Sequence, residues 1–309
     1  MYTVLNILIA LLAADLVAVL VLSVCIHSMK RKGRGKPDAV PVTVRENEAG
    51  AWRRLSDAER TVPDYPAEGK AHEIGARKEQ QDCHGSTALF RRHGSLTVVA
   101  DGMGGLTGGN QVSQRIVMGM LSMAPQLRRE NLDSALPGMV RSVTQDVNQM
   151  LGPDGLYKSG STLLAVLTYK DRFHWISVGD SRIYLFRSGA LLQLNQEHNL
   201  LQEWMPDILA GKRNYAEARS NPEGKKLTSF IGMGKLKYVD SSKQALRILP
   251  GDRILLMTDG VFNTLSEQQM IHILTVNRDV QKAAAAMDQA IRAAKIPSQD
   301  NYTVRILGF

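Results

Sequence analysis

An α+β fold of antiparallel sheets with a few long helices, preceded by one membrane-spanning helix, is the architecture the sequence predicts. Three observations carry it. Short runs rich in Val, Leu and Ile follow one another across tight turns, which favours antiparallel pairing over a regular βαβ alternation. Longer stretches repeat apolar residues at helical spacing. Val4 to Ile26 is a mostly apolar run that, at about 1.5 Å per residue, can cross a hydrocarbon core of ~30 Å.

The apolar run carries Asp15 near its centre, a charge costing about 3 kcal/mol on insertion scales, which the surrounding Leu, Ile, Val and Ala can outweigh. A cleaved signal peptide has a basic start, a shorter apolar core and a small-x-small cleavage site. Here the basic residues follow the run instead, in Lys30-Arg-Lys-Gly-Arg-Gly-Lys36. Residues 1–29 are therefore expected to be a retained single-pass anchor in the cell membrane. The positive-inside rule puts the following domain in the cytoplasm. The basic cluster is a topology signal that also suits anionic lipid headgroups. Residues 30–69 read as this juxtamembrane segment plus a linker, punctuated by Pro37, Pro41, Pro63 and Pro66, with room for one short helix at Ala51 to Arg60.

Residues 70–309 are expected to form the main domain. Ser95 to Ala100, Leu163 to Thr168, Phe173 to Val178, Ile183 to Phe186 and Arg253 to Met257 read as strands. The turns Tyr169-Lys-Asp-Arg172, Ser188-Gly189 and Pro250-Gly-Asp252 read as links between paired strands. Gln111 to Met123, Leu132 to Met150 and Val280 to Ala294 read as amphipathic helices. Ser266 with Gln269 forms a capping box for a further helix.

Composition narrows the function. The chain has 309 residues, 44% hydrophobic and 22% charged, an ordinary globular balance. Of the net charge of +8, half sits in the first 36 residues, where five Lys and Arg face only Asp15. With 6% aromatics and no basic stripe in the main domain, nucleic acid is not an expected partner. Cys25 and Cys83, the only cysteines, are poorly placed for a disulfide, which fits a reducing compartment. Cys83 reads as a small buried apolar residue on the face opposite Asp82.

Four aspartates carry the chemistry. Asp82 ends Arg77-Lys-Glu-Gln-Gln-Asp82, Asp101 opens Asp101-Gly-Met-Gly-Gly105, Asp259 precedes Gly260, and Asp300 precedes Asn301. A carboxylate at a strand end with Gly behind it can hold a hard cation, because the backbone turns sharply and offers a carbonyl as a further ligand. Such oxygen donors suit Mg and Mn rather than Zn. A lone Asp before Gly is ordinarily a turn residue; the ordered set points elsewhere.

In order and context these motifs resemble the metal-dependent serine/threonine protein phosphatases of the 2C type, the PPM family, in their bacterial form. The matching residues are Gly75-x-Arg77, Asp82, Asp101-Gly-Met-Gly-Gly105, Ser159-Gly-Ser-Thr162, Gly179-Asp-Ser-Arg182, Asp259-Gly260 and Asp300-Asn301. The resemblance implies a four-layer αββα sandwich, two packed antiparallel sheets flanked by helices. It implies two Mn or Mg ions held by Asp82, Asp101, the carbonyl of Gly102, Asp259 and Asp300, with Asp101 bridging. Asp180 joins Asp259 at a third, weaker metal site. Arg77 is the implied clamp for the phosphoryl oxygens, a fork that Lys cannot reproduce. The implied reaction is hydrolysis of phosphoserine and phosphothreonine in proteins by metal-activated water. Phosphorylated proteins, a serine/threonine kinase and its targets are the implied partners.

Departures matter too. Gln80 stands where the family has Asn, and Gln81 adds no charge. Met103 follows Asp-Gly, so no side chain there can protonate a leaving group. His84 shares a strand face with Asp82, from which it could reach the site, although a solvent-facing strand His is the simpler reading. Ser159-Gly-Ser-Thr162 reads as architectural, and residues 195–234 as a mobile flap. Two rival functions are weighed. In a nucleotide site, Asp101-Gly-Met-Gly-Gly-Leu-Thr-Gly-Gly109 would have to supply a dinucleotide fingerprint, but Thr107 occupies the third Gly position and no Walker Lys follows. A catalytically weak, membrane-anchored phosphoprotein-binding module would not need the complete aspartate set and Arg77.

Overall fold

The computed structural model describes residues 62–105 and 108–309. The expected anchor at 1–29, the basic cluster at 30–36 and the expected helix at 51–60 lie outside the described residues. Among the described residues no helix is long and apolar enough to cross a membrane.

The chain runs β1 (Ala67–Glu73), β2 (Asp82–Leu89), β3 (Gly94–Gly104), then helices α1 (Gly108–Met123) and α2 (Leu132–Gly155). Next come β4 (Ser159–Ser161), β5 (Leu163–Tyr169), β6 (Arg172–Val178), β7 (Arg182–Arg187) and β8 (Ala190–Gln193). Helices α3 (Leu200–Leu209) and α4 (Tyr215–Ser220) precede the short β9 (Asp240–Ser241) and β10 (Leu246–Arg247). The chain ends with β11 (Arg253–Met257), α5 (Asp259–Phe262), α6 (Glu267–Val276), α7 (Val280–Ala294) and β12 (Tyr302–Gly308). The first strand thus begins three residues before the expected boundary at 70.

Two antiparallel sheets result. One has the order β1-β12-β11-β7-β8; the other has β10-β6-β5-β3-β2, with β4 added to β3 and β9 to β6. Alternation along each strand sorts its residues between the faces. On β3, Leu96, Val98 and Ala100 turn outward and pack with Leu163, Ala165 and Leu167 of β5 against Ile116 and Met120 of α1 and Val140 and Val143 of α2. On the other sheet, Leu255, Met257, Val304 and Ile306 turn outward onto Met270 and Leu274 of α6 and Met287 and Ile291 of α7. Val99, Leu164, Val166, Phe173, Ile183, Leu185, Ile254 and Leu256 meet between the sheets. Each such side chain, fully buried, stabilises the fold by roughly 1.5–3 kcal/mol. The order of layers is helix, sheet, sheet, helix, as expected.

Local signals explain the element ends. Ser266 and Gln269 form the expected reciprocal capping box on α6. Asp279 caps α7 by accepting from the Lys282 amide. Ser188 and Gly189 both have positive φ, 52° and 81°, the geometry of a two-residue hairpin turn between β7 and β8. The Tyr169–Arg172 segment also closes a hairpin, β5 to β6. The Pro250-Gly-Asp252 turn does not. It joins β10 in one sheet to β11 in the other. The buried Asp252 holds that crossover by accepting from the Leu249 amide and from Arg187.

Strands β1 and β12, and β2 beyond Asp82 to His84, fall outside the sequence expectation, and for one reason. Their inward faces are polar. Arg305 of β12 is 5% exposed and pairs with Glu68 of β1, while donating to Ser86 of β2 at 3.0 Å. His84 is corrected here: it is half-buried, 2.9 Å from Arg305 and 4.7 Å from the His72 ring, edge to face. It faces the inter-sheet layer and not solvent. Burial and the Arg305 charge push its imidazole down to about 3. Cys83, on the opposite face, packs against the core under α1 as expected.

Candidate metal centre

Every sequence-predicted site residue falls at one end of the sandwich. Asp82 starts β2 and lies directly across from Asp101 on β3 in the antiparallel register. Side chains at opposed positions of a pair share a face, so both carboxylates turn into the inter-sheet layer. Strand β3 does not stop at Asp101, as the sequence suggested, but continues to Gly104. Asp180 sits in the turn between β6 and β7, Asp259 opens α5 after β11, and Asp300 lies two residues before β12.

The peptide of Asp101 is fixed on both sides. Its N–H donates to the Thr162 hydroxyl at 3.0 Å, and its carbonyl accepts from the Thr162 amide at 2.9 Å and the Ser161 hydroxyl at 2.8 Å. The Ser159–Thr162 motif is thus architectural. Gly102 donates to the Gln81 carbonyl at 3.1 Å. A Cβ on Gly102 would lie 2.5 Å from that oxygen and 2.3 Å from the Gly109 carbonyl oxygen, so the crossing of β3 under the start of α1 admits glycine alone.

The loop bearing Arg77 is tied to the loop bearing Asp300. Gly75 has φ +63°, and a Cβ there would lie 2.2 Å from the Asp300 carbonyl oxygen. The Ala76 amide donates to the Gln299 carbonyl at 2.8 Å. Buried Asn301 locks the two loops together: it accepts from the Gln81 amide and donates to the carbonyls of Ile74 and Glu79. This brings Arg77 to 2.6 Å from Asp300, across 223 positions of sequence. The guanidinium remains 58% exposed, at the mouth of the site.

Electrostatics unify the set. Burial, with added repulsion from Asp259 and Asp300, pushes the Asp82 carboxyl up to about 7, against the pull of two threonine hydroxyls. Burial holds Asp101 well above the usual carboxylate range, and Asp82, Asp259, Asp180 and Asp300 add to it. Asp180 is pushed up to about 7 by burial, then by Asp259 and Glu197. Asp259 is raised by burial and by Asp300, with Lys225, Asn263 and Arg77 opposing. Five carboxylates crowd one end of the layer, and the cations acting on them are too few to balance them. Asp82 Oδ1 is buried without a hydrogen-bond partner among the described residues. Oxygen donors of this kind and number suit a pair of hard divalent cations. Among the described residues no three His, Cys, Asp or Glu side chains are already gathered closely enough to hold one ion. The fit therefore rests on donor chemistry and on the unmatched negative charge.

A sequence profile described as Protein phosphatase 2C matches residues 68–298. The chain belongs to the protein phosphatase 2C family. Two relatives are bacterial. Serine/threonine protein phosphatase PstP of Mycobacterium tuberculosis is 26% identical over 211 residues, 68% of this chain and 39% of PstP. The matched region is thus about two-fifths of that protein. Serine/threonine phosphatase stp of Listeria welshimeri is 28% identical over 222 residues, 69% of this chain and 83% of the relative. The PstP catalytic domain, crystallised with two manganese ions, shares the fold at a TM-score of 0.65 and 23% identity, covering 78% of this chain and 96% of that one.

In this protein phosphatase 2C-family domain the sequence reading missed several residues that shape the site. Thr258 and Thr303 donate to Asp82, and Gln299, beside the Asp300-Asn301 motif that the sequence did single out, helps stitch the loops. Their signal was adjacency: each lies within three positions of a candidate aspartate. Lys225 was also missed. It lies in the 195–234 excursion, which carries α3 and α4, and its charge acts on Asp259.

Proposed function

We propose that this domain hydrolyses phosphoserine and phosphothreonine esters of proteins with two Mn or Mg ions at the carboxylate cluster. The observation that carries this is the convergence of Asp82, Asp101, Asp259 and Asp300 at one end of a protein phosphatase 2C fold. Manganese in the PstP catalytic domain supports the choice of metal. In this reading Asp82, Asp101, Asp259, Asp300 and the carbonyl of Gly102 hold the ions, with Asp180 and Asp259 serving a third, weaker site. Bound there, the ions supply an activated water and neutralise phosphoryl charge.

The chain's own groups do the rest. Arg77 binds and orients the substrate: its exposed guanidinium can grip two phosphoryl oxygens in a fork. Its present partner, Asp300, belongs to the same cluster, so the Arg is already held at the cleft mouth. Met103 offers no proton at the leaving group. With the full set of aspartates and Arg77 in one place, catalysis is favoured over phosphoprotein binding alone.

We further propose that residues 1–29 anchor the chain once in the cell membrane and that residues 30–69 tether the domain on the cytoplasmic side. The basic cluster at Lys30 to Lys36 supports this. The substrates would then be phosphorylated proteins at the membrane, with a serine/threonine kinase and its targets among them. Protease treatment of sealed spheroplasts tests the topology: digestion of the domain from outside, with a cytoplasmic control intact, overturns it. Phosphate release from a phosphothreonine peptide tests the activity. It should require Mn or Mg and stop in chelator; turnover unaffected by chelator would refute the metal centre.

A further inference from the structure

Resting on the metal-centre reading above, we infer that Thr258, Thr303 and His72 are positioning residues that aim one oxygen of Asp82 at its ion. Asp82 is 3% exposed, and both threonines are fully buried. Thr303 Oγ1 lies 2.7 Å from Asp82 Oδ2, and Thr258 Oγ1 lies 2.9 Å from the same oxygen. Each hydroxyl has a single proton to give. The acceptor side of each is already taken. Thr258 Oγ1 accepts the backbone N–H of Thr303 at 2.9 Å. Thr303 Oγ1 lies 2.9 Å from His72 Nδ1. With the Thr303 proton directed to the carboxylate, His72 must carry its proton on Nδ1 and donate it. Both hydroxyl protons therefore point at Oδ2.

The consequence is an asymmetric carboxylate. Oδ2 receives two hydrogen bonds, whereas Oδ1 is buried and has none among the described residues. A carboxylate pinned through one oxygen cannot rotate to present the other face, so Oδ1 is the oxygen offered to a cation. The support is stiff, because it hangs on strand backbone. Thr258 and Thr303 exchange main-chain contacts between the end of β11 and β12, with the Thr258 amide donating to the Thr303 carbonyl at 3.0 Å. His72 reaches in from β1, where it is the register partner of Thr303. Three strands of one sheet thus hold a ligand that belongs to the other.

Outer groups of this kind change metal affinity by about 10- to 100-fold when removed. The test is calorimetric titration of Mn into the metal-free full-length chain, at a temperature where every variant is folded by circular dichroism. Thr303→Val, which keeps the shape and removes the donor, should weaken Mn binding by about 10-fold or more, and Thr303→Ser should restore it. His72→Phe leaves both hydroxyls in place but frees Thr303 to turn; it should weaken Mn binding less than Thr303→Val. A merely structural role would lower the melting temperature without moving the Mn dissociation constant. Folded Thr303→Val with wild-type Mn affinity overturns the inference. If Thr303→Val does not fold, wild-type affinity in both Thr258→Val and His72→Phe overturns it. Wild-type protein that takes up no Mn at all instead refutes the metal centre itself.

Discussion

Between the two sheets, the half under β5, β6, β7 and β11 is dry, and the half under β1, β2 and β12 is wired with polar groups. In the dry half Leu164, Val166, Ile183, Ile254 and Leu256 are wholly buried. In the polar half the equivalent inward positions hold Asp82, His84, Ser86, Thr303 and Arg305. Two of its atoms, Asp82 Oδ1 and Arg305 Nε, are buried without a partner among the described residues, as are Thr97 Oγ1 on neighbouring β3 and, in the other half, Ser177 Oγ on β6. An unmet buried polar group costs about 1–3 kcal/mol, and like charges add to that. The pleat is the same in both halves, so backbone geometry does not explain the difference. The dry half sets stability, and the polar half spends some of it to hold a charged site.

Exchange between the halves should therefore have opposite effects. Asp101→Asn should reduce phosphatase activity by roughly two to three orders of magnitude, the scale for removing one preorganised charge-stabilising group. It should also leave the metal-free melting temperature unchanged or higher, since one repelling carboxylate is gone. A folded variant with near-normal turnover contradicts the assignment. Leu256→Ala should do the reverse, costing about 2–5 kcal/mol by denaturant titration while activity per folded molecule is kept.

Arg305→Ala probes the border between the halves. It strands Glu68 and strips Ser86 and His84 of a partner. Glu68 keeps some solvent, so the loss should be about 2–3 kcal/mol, below the ~3–5 kcal/mol for a fully buried pair. A loss equal to a surface pair, under ~1 kcal/mol, would show that the polar half is open to water.

These comparisons also explain what the sequence could reveal. The dry strands β5, β6, β7 and β11 were legible because alternation and runs of Leu, Ile and Val mark two-sided burial. Helix α7 was legible from Ala283, Met287 and Ile291 at helical spacing. Strand β12 was missed although Val304, Ile306 and Leu307 lie in it, because Thr303 and Arg305 break the apolar pattern. Strand β1 was missed for the same reason, and β2 was legible only as an extended segment from Asp82 to His84. The aspartates were visible through their motifs, yet Thr258 and Thr303 were not singled out. Their role exists only once β11 and β12 pair and bring both hydroxyls to Asp82.

A smaller effect lies in pH. In the metal-free fold Asp82 and Asp180 keep their protons up to about 7, whereas an unfolded aspartate loses its proton near ~3.9. Between those values the folded chain binds more protons than the unfolded one, so stability falls as pH rises through this window. Asp180→Asn removes one such group. Its melting temperature in chelator should exceed the wild-type value by more at about pH 8 than at about pH 5. An advantage that is equal at both pH values would contradict the shift.

That the polar end of the inter-sheet layer is a two-ion site is open to direct observation. Anomalous diffraction from crystals of the protein grown with manganese tests it most directly. Two Mn peaks are expected, bracketed by Asp82, Asp101, Asp259 and Asp300, with Asp82 Oδ1 as the ligating oxygen and Thr258 and Thr303 still on Oδ2. Manganese bound only elsewhere on the protein, or a cluster left without any ion at saturating Mn, would contradict it.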